Sequence, residues 1–263
     1  GVTIQEETAS VGEGNYAVMK ALMQKHGDKT GIISIGPAGE MGLAAANISV
    51  KDPDGNIRSH GRGGLGAVMG SKKIKHITID PTGGPGVEIF DPEKFREVAR
   101  KFTKALVDHP VSGQALKTYG TDVLVNILNE AGGLPTRNFR FGRFAGADKI
   151  SGETMREIIL KRNGKPHHAC HAGCVMQCSQ VYNDKDGNYV TSGFEYETIW
   201  GFGANCCIDD LDIIAEADHL LDDIGVDSIE TAVAVGVAME AGIIPFGDGP
   251  GTLRLIEEIR EGT

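Results

Sequence analysis

Three cysteines lie close together in the second half of the sequence. Cys170, Cys174 and Cys178 are each separated by three residues, and the other two cysteines, Cys206 and Cys207, follow soon after. Three thiolates from one segment, joined by a fourth ligand from elsewhere, commonly hold an iron–sulfur cubane. The spacing therefore predicts a [4Fe–4S] cluster, and so many thiols grouped in a long chain favour a reducing compartment over a disulfide framework.

Other interpretations of these cysteines stay open. Side chains four residues apart nearly align on a helix, so the three thiols could be buried apolar groups on one helix face. A zinc site is compatible with the residue types but lacks a clean second pair of ligands. Cys206 or Cys207 could supply the missing ligand, although adjacent side chains point apart and only one could serve; a purely structural pair is the alternative.

A glycine-rich segment, residues 61–72, could bind phosphate. Its glycines allow the backbone to approach a ligand closely, and Arg62 and Lys72 add positive charge. The segment matches neither the Walker nor the dinucleotide-binding spacing. A glycine turn with a structural role fits equally well.

Two acidic segments are further candidates. Glu216 and His219 are three residues apart on a predicted helix, so they share a face and could bind a metal; an ordinary solvated acidic face is the alternative. Gly225 follows the apolar pattern of that helix and is predicted to end it. Glu195 and Glu197 would face the same side if they lay on a strand, or form an exposed acidic pair.

These residues must be positioned by secondary-structure elements, and the elements that the sequence predicts indicate an α+β fold. β-branched content indicates strands at residues 31–35 and 74–79, with a hairpin pairing 48–50 with 57–59 and a helix at 16–25. Asp91 is predicted to cap a helix that ends near residue 109. Further elements are predicted as helices at 121–130, 152–162, 211–224, 228–241 and 251–261, and a hairpin turn at 183–188. Glycine clusters before residue 90 and helical periodicity after it indicate two regions.

Composition excludes several classes of protein. The 263 residues include 26 Lys and Arg against 36 Asp and Glu, for a net charge of −10, which argues against a nucleic-acid-binding surface. With 40% hydrophobic and 24% charged residues the chain is globular. No apolar run reaches the roughly 18 to 20 residues of a membrane span, and no targeting segment is visible. We expect a cytoplasmic protein, and the form of both ends suggests a piece of a longer one.

Six motifs, taken in order, resemble the aldehyde:ferredoxin oxidoreductase family of tungsten or molybdenum enzymes. They are residues 36–40 (GPAGE), 58–72 (RSHGRGGLGAVMGSK), 134–139 (LPTRNF), the cysteine cluster, 194–198 (FEYET) and 222–227 (DDIGVD). The resemblance implies that residues 1–88 are the C-terminal part of a β-rich pterin-binding domain. Residues 89–263 would then be a mainly helical domain, with the opening strands and a third domain outside this chain.

The resemblance also implies a function. In the family two pterins hold one tungsten or molybdenum, aldehydes are oxidised to carboxylic acids, and electrons leave through a [4Fe–4S] cluster to ferredoxin. Cys170, Cys174 and Cys178 resemble the clustered cubane ligands, although the family usually has two residues between the first pair. The fourth cysteine and a second pterin segment are expected outside this chain, which by itself is expected to be inactive.

Further site residues follow from the same resemblance. Glu197, with Glu195 beside it, resembles the carboxylate that moves protons near the metal. Glu216 and His219 resemble a pair that binds a metal on the twofold axis of a homodimer. The resemblance implies that Arg62, with the Gly63 and Gly64 backbone, contacts the pterin phosphate and its bridging magnesium, and that Arg58 is a further cofactor-binding residue. It also implies a pterin-contacting segment formed by Asp222, Gly225, Val226 (in place of the usual Leu) and Asp227.

Two alternative functions stay open. One is a family relative with another substrate, such as an aromatic-ring reductase or a carboxylic acid reductase. The other is a non-catalytic iron–sulfur electron-transfer or scaffold subunit without pterin.

Overall fold

The computed structural model describes residues 1–262 and separates them into two compact units. Unit 1 combines residues 1–80 with those from 213 onward, and unit 2 is residues 81–212. The strands are β1 Gly31–Ser34, β2 Ser49–Lys51, β3 Ile57–Ser59, β4 His76–Ile79, β5 Lys165–His168, β6 Ser179–Asn183 and β7 Tyr189–Ser192. The helices are α1 Asn15–His26, α2 Pro37–Glu40, α3 Leu65–Ser71, α4 Pro92–Asp108, α5 Leu116–Tyr119, α6 Leu124–Ala131, α7 Gly152–Lys161, α8 Tyr196–Phe202, α9 Leu211–Ile224, α10 Ser228–Glu240 and α11 Gly249–Glu261.

Unit 1 is built on a four-stranded antiparallel sheet in the order β3-β2-β1-β4. Ile33 in β1 lies opposite Val50 in β2 and Ile77 in β4. The predicted strands and the predicted hairpin between β2 and β3 are confirmed. At the hairpin tip, Asp52 Oδ1 accepts hydrogen bonds from the backbone N–H groups of Asp54 and Asn56, both at 2.9 Å, which fixes the turn.

Helix α1 covers one face of this sheet. Its side chains Val18, Met19 and Leu22 are buried against Ile32 and Ile57. The helix begins after Gly14, which has no side chain to cap it. The carboxylate of Asp223, which is distant in sequence, caps the helix, because its Oδ1 accepts a hydrogen bond from the Tyr16 N–H at 3.0 Å. The other oxygen of this carboxylate, Oδ2, accepts a hydrogen bond from Arg260 at 2.6 Å.

The C-terminal helices join the sheet at Gly225. This residue ends α9 with a φ of +81°, and a Cβ placed on it would lie 2.9 Å from the backbone nitrogen of Gly36. The close approach lets the Asn47 N–H donate to the Gly225 carbonyl at 2.8 Å and the Asp227 N–H donate to the Ala45 carbonyl at 2.9 Å. The predicted helix end at Gly225 is therefore also the junction of the two segments of unit 1.

Unit 2 contains a three-stranded antiparallel sheet in the order β5-β6-β7, surrounded by short helices. The guanidinium of Arg162 binds both carboxylate oxygens of Asp212, at 2.5 and 3.1 Å, and the Tyr182 hydroxyl donates to the same carboxylate at 2.7 Å. This network ties the end of α7 to β6. The paired geometry raises the pKa of Arg162 above its ordinary value.

Most of the predicted helices are confirmed, with two differences. Asp91 caps α4 as expected, since its carboxylate accepts from the Lys94 N–H at 2.9 Å. Several apolar side chains of α4 are nevertheless exposed, among them Phe95, Val98 and Phe102, the last at 64%. The helix predicted at residues 121–130 begins instead as a 3₁₀ turn, Gly120–Val123, followed by α6. Among the described residues no helix is both long enough and apolar enough to span a membrane.

We expect the Gly225→Ala variant to be destabilised by roughly 3 kcal/mol or more, because the left-handed backbone and the contact with Gly36 both oppose a methyl group. The matched control is Gly242→Ala. Gly242 has a φ of +78°, but a Cβ placed on it would have no atom within 4 Å, so it should lose only about 1 kcal/mol. Urea denaturation measures both; equal losses would show that the close approach has no energetic importance.

Candidate functional site

The three clustered cysteines lie in an irregular loop that connects β5 to β6. Cys170 is exposed, and Cys174 and Cys178 are half-buried. The interpretation of these thiols as buried groups on a helix face is therefore wrong. The loop is closed at its base, because His168 pairs with Ser179 and also bridges Cys178. None of the chain's five cysteines, all within the described residues, forms a disulfide.

The loop contains thiols of the kind that bind soft metals, but these side chains are not close enough together to form a metal site. Within residues 1–262 no three His, Cys, Asp or Glu side chains are grouped as a metal site. Burial, and next the negative charge of Glu195, raise the pKa of the Cys178 thiol. A bound cation would reverse that tendency, since metal binding deprotonates thiols. Three thiols in an irregular loop fit a cluster that draws its ligands together on binding.

Glu195 and Glu197 are not on a strand, so the expectation that they face the same side by strand alternation is wrong. Glu195 precedes α8, and Glu197 lies in the first turn of that helix. The half-buried Glu195 accepts a hydrogen bond from the Thr121 hydroxyl at 2.8 Å, and that hydroxyl oxygen accepts from the Tyr196 N–H at 2.9 Å. Glu197 is exposed. One carboxylate is therefore held in place and the other is accessible.

The second candidate region, in unit 1, brings the glycine-rich segment next to the residues after α9. Arg62 Nε donates to Asp227 Oδ2 at 2.9 Å across 165 residues of sequence. Asp227 also caps α10, since its Oδ1 accepts from the Ile229 N–H at 2.9 Å. Gly63 and Gly64, beside Arg62, have φ values of +99° and +70°, and a Cβ on Gly63 would meet open space. The backbone at Gly63 is thus open to a ligand.

Asp222 lies in the same region. Its carboxylate accepts from the Ser59 hydroxyl at 3.4 Å, while the neighbouring Arg58 is engaged with Asp52 at 3.2 Å. Burial, and next the negative charge of Asp218, raise the pKa of Asp222 well above its ordinary value, although Arg58 opposes this. A carboxyl held under these conditions is stabilised by any new hydrogen-bond donor. The arrangement suits a ligand that presents amino or ring N–H groups.

Glu216 and His219 lie on α9 as predicted. Glu216 is exposed, whereas the His219 ring is stacked on the Tyr16 ring, with centroids 4.2 Å apart and planes 14° apart. The stacking gives His219 a packing role in unit 1. Metal binding by this pair stays a prediction.

The backbone conformation of the LPTRNF motif was not predicted from the sequence. Arg137, Asn138 and Phe139 all have left-handed φ values, of 50°, 51° and 61°. Two hydrogen bonds hold this backbone: the Arg137 N–H donates to the Ala204 carbonyl at 3.0 Å, and the Asn138 N–H to the Asn205 carbonyl at 2.9 Å. Consecutive left-handed residues other than glycine are rare and concentrate at functional sites. Only the asparagine was a sequence signal for this conformation.

We expect the Asp222→Asn variant to have a larger free energy of unfolding than the native chain at pH values above the ordinary pKa of Asp. The difference should grow with pH. The native acid has a raised pKa, so its neutral form supports folding at low pH and that support is lost as the pH rises through the folded-state pKa. The amide cannot ionise. The control Asp223→Asn should lose about 1 to 3 kcal/mol, because it weakens the bonds to Arg260 and Tyr16. Urea unfolding at pH 5 and pH 8 tests both; a less stable Asp222→Asn variant at both values would contradict the assignment.

Comparison with known families gives two matches along the chain. The profile described as aldehyde ferredoxin oxidoreductase, N-terminal domain, matches residues 1–81. The profile described as aldehyde ferredoxin oxidoreductase, domains 2 & 3, matches residues 97–262. Together these matches include both candidate regions.

Individual relatives agree with this result. The tungsten-containing aldehyde ferredoxin oxidoreductase of Thermococcus kodakarensis is 46% identical over 213 residues, which are 81% of this chain and 33% of that protein. The enzyme of the same name from Pyrococcus furiosus is 44% identical over 215 residues, 81% of this chain and 33% of that protein. An aliphatic sulfonate oxidoreductase, WOR-like subunit, from P. furiosus is 27% identical over 80% of this chain and 32% of its own length. The chain spans about a third of the length of these relatives.

A solved structure shares the fold. The active site complex BamBC of benzoyl coenzyme A reductase, solved with 1,5-dienoyl-CoA, superimposes with a TM-score of 0.70 over 95% of this chain and 40% of that chain, at 17% identity. At that identity the likeness concerns the fold alone. The profile matches and the more similar relatives place the chain itself: it belongs to the aldehyde ferredoxin oxidoreductase family.

Proposed function

We propose that this chain is part of an oxidoreductase that oxidises aldehydes to carboxylic acids at a tungsten or molybdenum bis-pterin centre. The observation that carries the proposal is the contact between Arg62 and Asp227, which joins two cofactor-type segments 165 residues apart. The identity of 44 to 46% with enzymes named as tungsten-containing supports it. Because the chain covers about a third of those enzymes, the activity is proposed for a longer protein.

Unit 1 supplies the residues proposed to hold the pterin. Arg58 and Arg62 offer positive charge to its phosphates and to a bridging magnesium, and the open backbone at Gly63, with Gly64 beside it, allows close approach. Asp222 offers a carboxyl to the pterin nitrogens, with the turn at Gly225, Val226 and Asp227 presenting backbone groups beside it. When bound, the metal centre supplies the two-electron oxidation in which an aldehyde and water give a carboxylic acid, two electrons and two protons.

A carboxylate of unit 2 is proposed to take up the protons that this reaction releases, and a second one to hold it in position. Glu197 is exposed at the first turn of α8, so its carboxylate is accessible to take up a proton. Glu195 is fixed by the Thr121 hydroxyl and shares that hydroxyl with the Tyr196 N–H. We therefore assign Glu195 the role of holding the start of α8 in position.

The cysteine loop is proposed to carry the electrons onward. Cys170, Cys174 and Cys178 would ligate a [4Fe–4S] cluster that passes electrons to ferredoxin, and five cysteines that form no disulfide fit a cytoplasmic, reducing environment. An iron–sulfur scaffold without pterin would not need the open backbone at Gly63 beside the positive charge of Arg62. The lower identity to the aliphatic sulfonate oxidoreductase subunit, 27%, favours aldehydes over other substrates.

The proposal is tested by metal analysis of the full-length protein and of its Cys174→Ser variant. We expect tungsten or molybdenum together with four irons in the native protein. The variant should lose most of its iron and the EPR signal of the reduced cluster, because one of the thiolate ligands is removed. Cys206→Ala is the control, since Cys206 is buried outside the loop. Iron without tungsten or molybdenum would favour the scaffold, and four irons in Cys174→Ser would contradict the ligand assignment.

We propose further that Glu216 and His219 bind one metal between two copies of this chain. Two such pairs around a twofold axis provide four ligands, enough for a tetrahedral site. The double variant Glu216→Gln, His219→Ala should lose about one metal per dimer and shift toward monomer in sedimentation. Glu216→Gln alone keeps the stacking of His219 on Tyr16 and so isolates the ligand role. Equally tight dimers with unchanged metal content would refute the pair's role.

A further inference from the structure

One side of helix α8 presents a carboxylate next to an aromatic ring. Every residue of this helix is described by the structure, and all but Glu197 and Trp200 are buried. Glu197 is exposed and Trp200 is half-buried. Residues three apart are neighbours on a helix surface, and helical side chains lean toward the N-terminus. The Trp200 side chain therefore leans toward the carboxylate that is proposed to take up protons.

A second aromatic ring extends this surface. The Phe139 ring of the LPTRNF motif packs edge-on against Trp200, with centroids 5.6 Å apart and planes at 74°. The Phe139 side chain is nevertheless 57% exposed. The contact uses only part of the Phe139 ring, so most of its surface is open to a ligand.

The backbone that carries this ring is strained. Phe139 has a φ of 61° and follows two other left-handed residues, and the segment is bound to the carbonyls of residues 204 and 205, just beyond α8. An exposed ring buries little apolar area, so packing of the core does not account for the strain. Strained residues other than glycine concentrate at functional sites. The observed strain therefore indicates that the position of the Phe139 ring has a functional role.

We infer that Phe139 and Trp200 form an aromatic wall of the substrate site, and that the preferred substrates are aldehydes that carry an aromatic ring. The inference rests on the proposed function, because it places the aldehyde group at Glu197. The group attached to that aldehyde then meets the neighbouring surface of α8, where the two rings lie. Aromatic rings attract one another beyond the effect of the area that they bury, and ligand sites combine apolar walls with few polar groups.

The test compares kcat/KM for benzaldehyde and for acetaldehyde in the full-length protein, measured by viologen reduction without oxygen. Phe139→Leu keeps an apolar side chain but removes the ring. The benzaldehyde-to-acetaldehyde ratio should then fall roughly tenfold, the worth of one lost aromatic contact. Phe139→Tyr keeps the ring and should retain the native ratio. The control Phe141→Leu should also retain it, because Phe141 is exposed to a similar degree, 60%, but pairs with Thr136 in the hairpin.

A second measurement needs no variant. 4-Azidobenzoate resembles the carboxylate product of an aromatic aldehyde. On illumination it should label the peptides of the native full-length protein that contain Phe139 or Trp200, and benzoate should compete with it better than acetate does. This labelling decides the question if Phe139→Leu does not fold.

The outcomes separate this inference from the function on which it rests. An unchanged ratio in Phe139→Leu, or an equal fall in Phe141→Leu, would overturn the inference and leave the proposed function intact. Labelling confined to other peptides would have the same meaning. A native protein that oxidises neither aldehyde would overturn both.

Discussion

Unit 1 depends on a backbone crossing that has no room for side chains. At Gly225 the chain leaves α9 in a left-handed turn and passes so close to Gly36 that a Cβ on either residue would meet backbone atoms below 3 Å. Because these two segments of the chain are in contact, the Asn47 and Asp227 N–H groups donate hydrogen bonds to carbonyls of the opposite segment. The positions of Asp222 and Asp227 beside the glycine-rich segment follow from this contact.

The residues proposed for cofactor binding also maintain the fold. Asp227 caps α10 and holds Arg62, Arg58 is engaged with Asp52, and His219 stacks on Tyr16. Such double use keeps charged side chains in fixed orientations before a ligand arrives, which lowers the entropy lost on binding. Asp222 is the exception, because burial and nearby negative charge disfavour its ionised form. A ligand that donates hydrogen bonds to this carboxylate would stabilise the ionised form.

The sequence predicted those features that arise from local chemistry. The hairpin at residues 53–56, the Asp91 cap and the helix end at Gly225 each depend on residues adjacent in the chain, and the structure confirms them. Predictions failed where a distant residue decides. Glu195 and Glu197 would share a face if they lay on a strand, but the Thr121 hydroxyl, 75 residues from Tyr196, accepts the Tyr196 N–H where helix α8 begins. The left-handed backbone of residues 137–139 likewise depends on carbonyls near residue 204.

The interrupted course of unit 1 has a consequence for synthesis on the ribosome. The sheet strands are complete by residue 80, yet α1 receives its capping carboxylate, Asp223, only after all of unit 2 has been made. At ~5–20 residues per second this interval lasts on the order of 10 s, whereas unit 2 is continuous and able to fold as it emerges. During that time the nascent sheet exposes the surfaces that later meet the C-terminal helices, so the early chain is the stage most in need of chaperones.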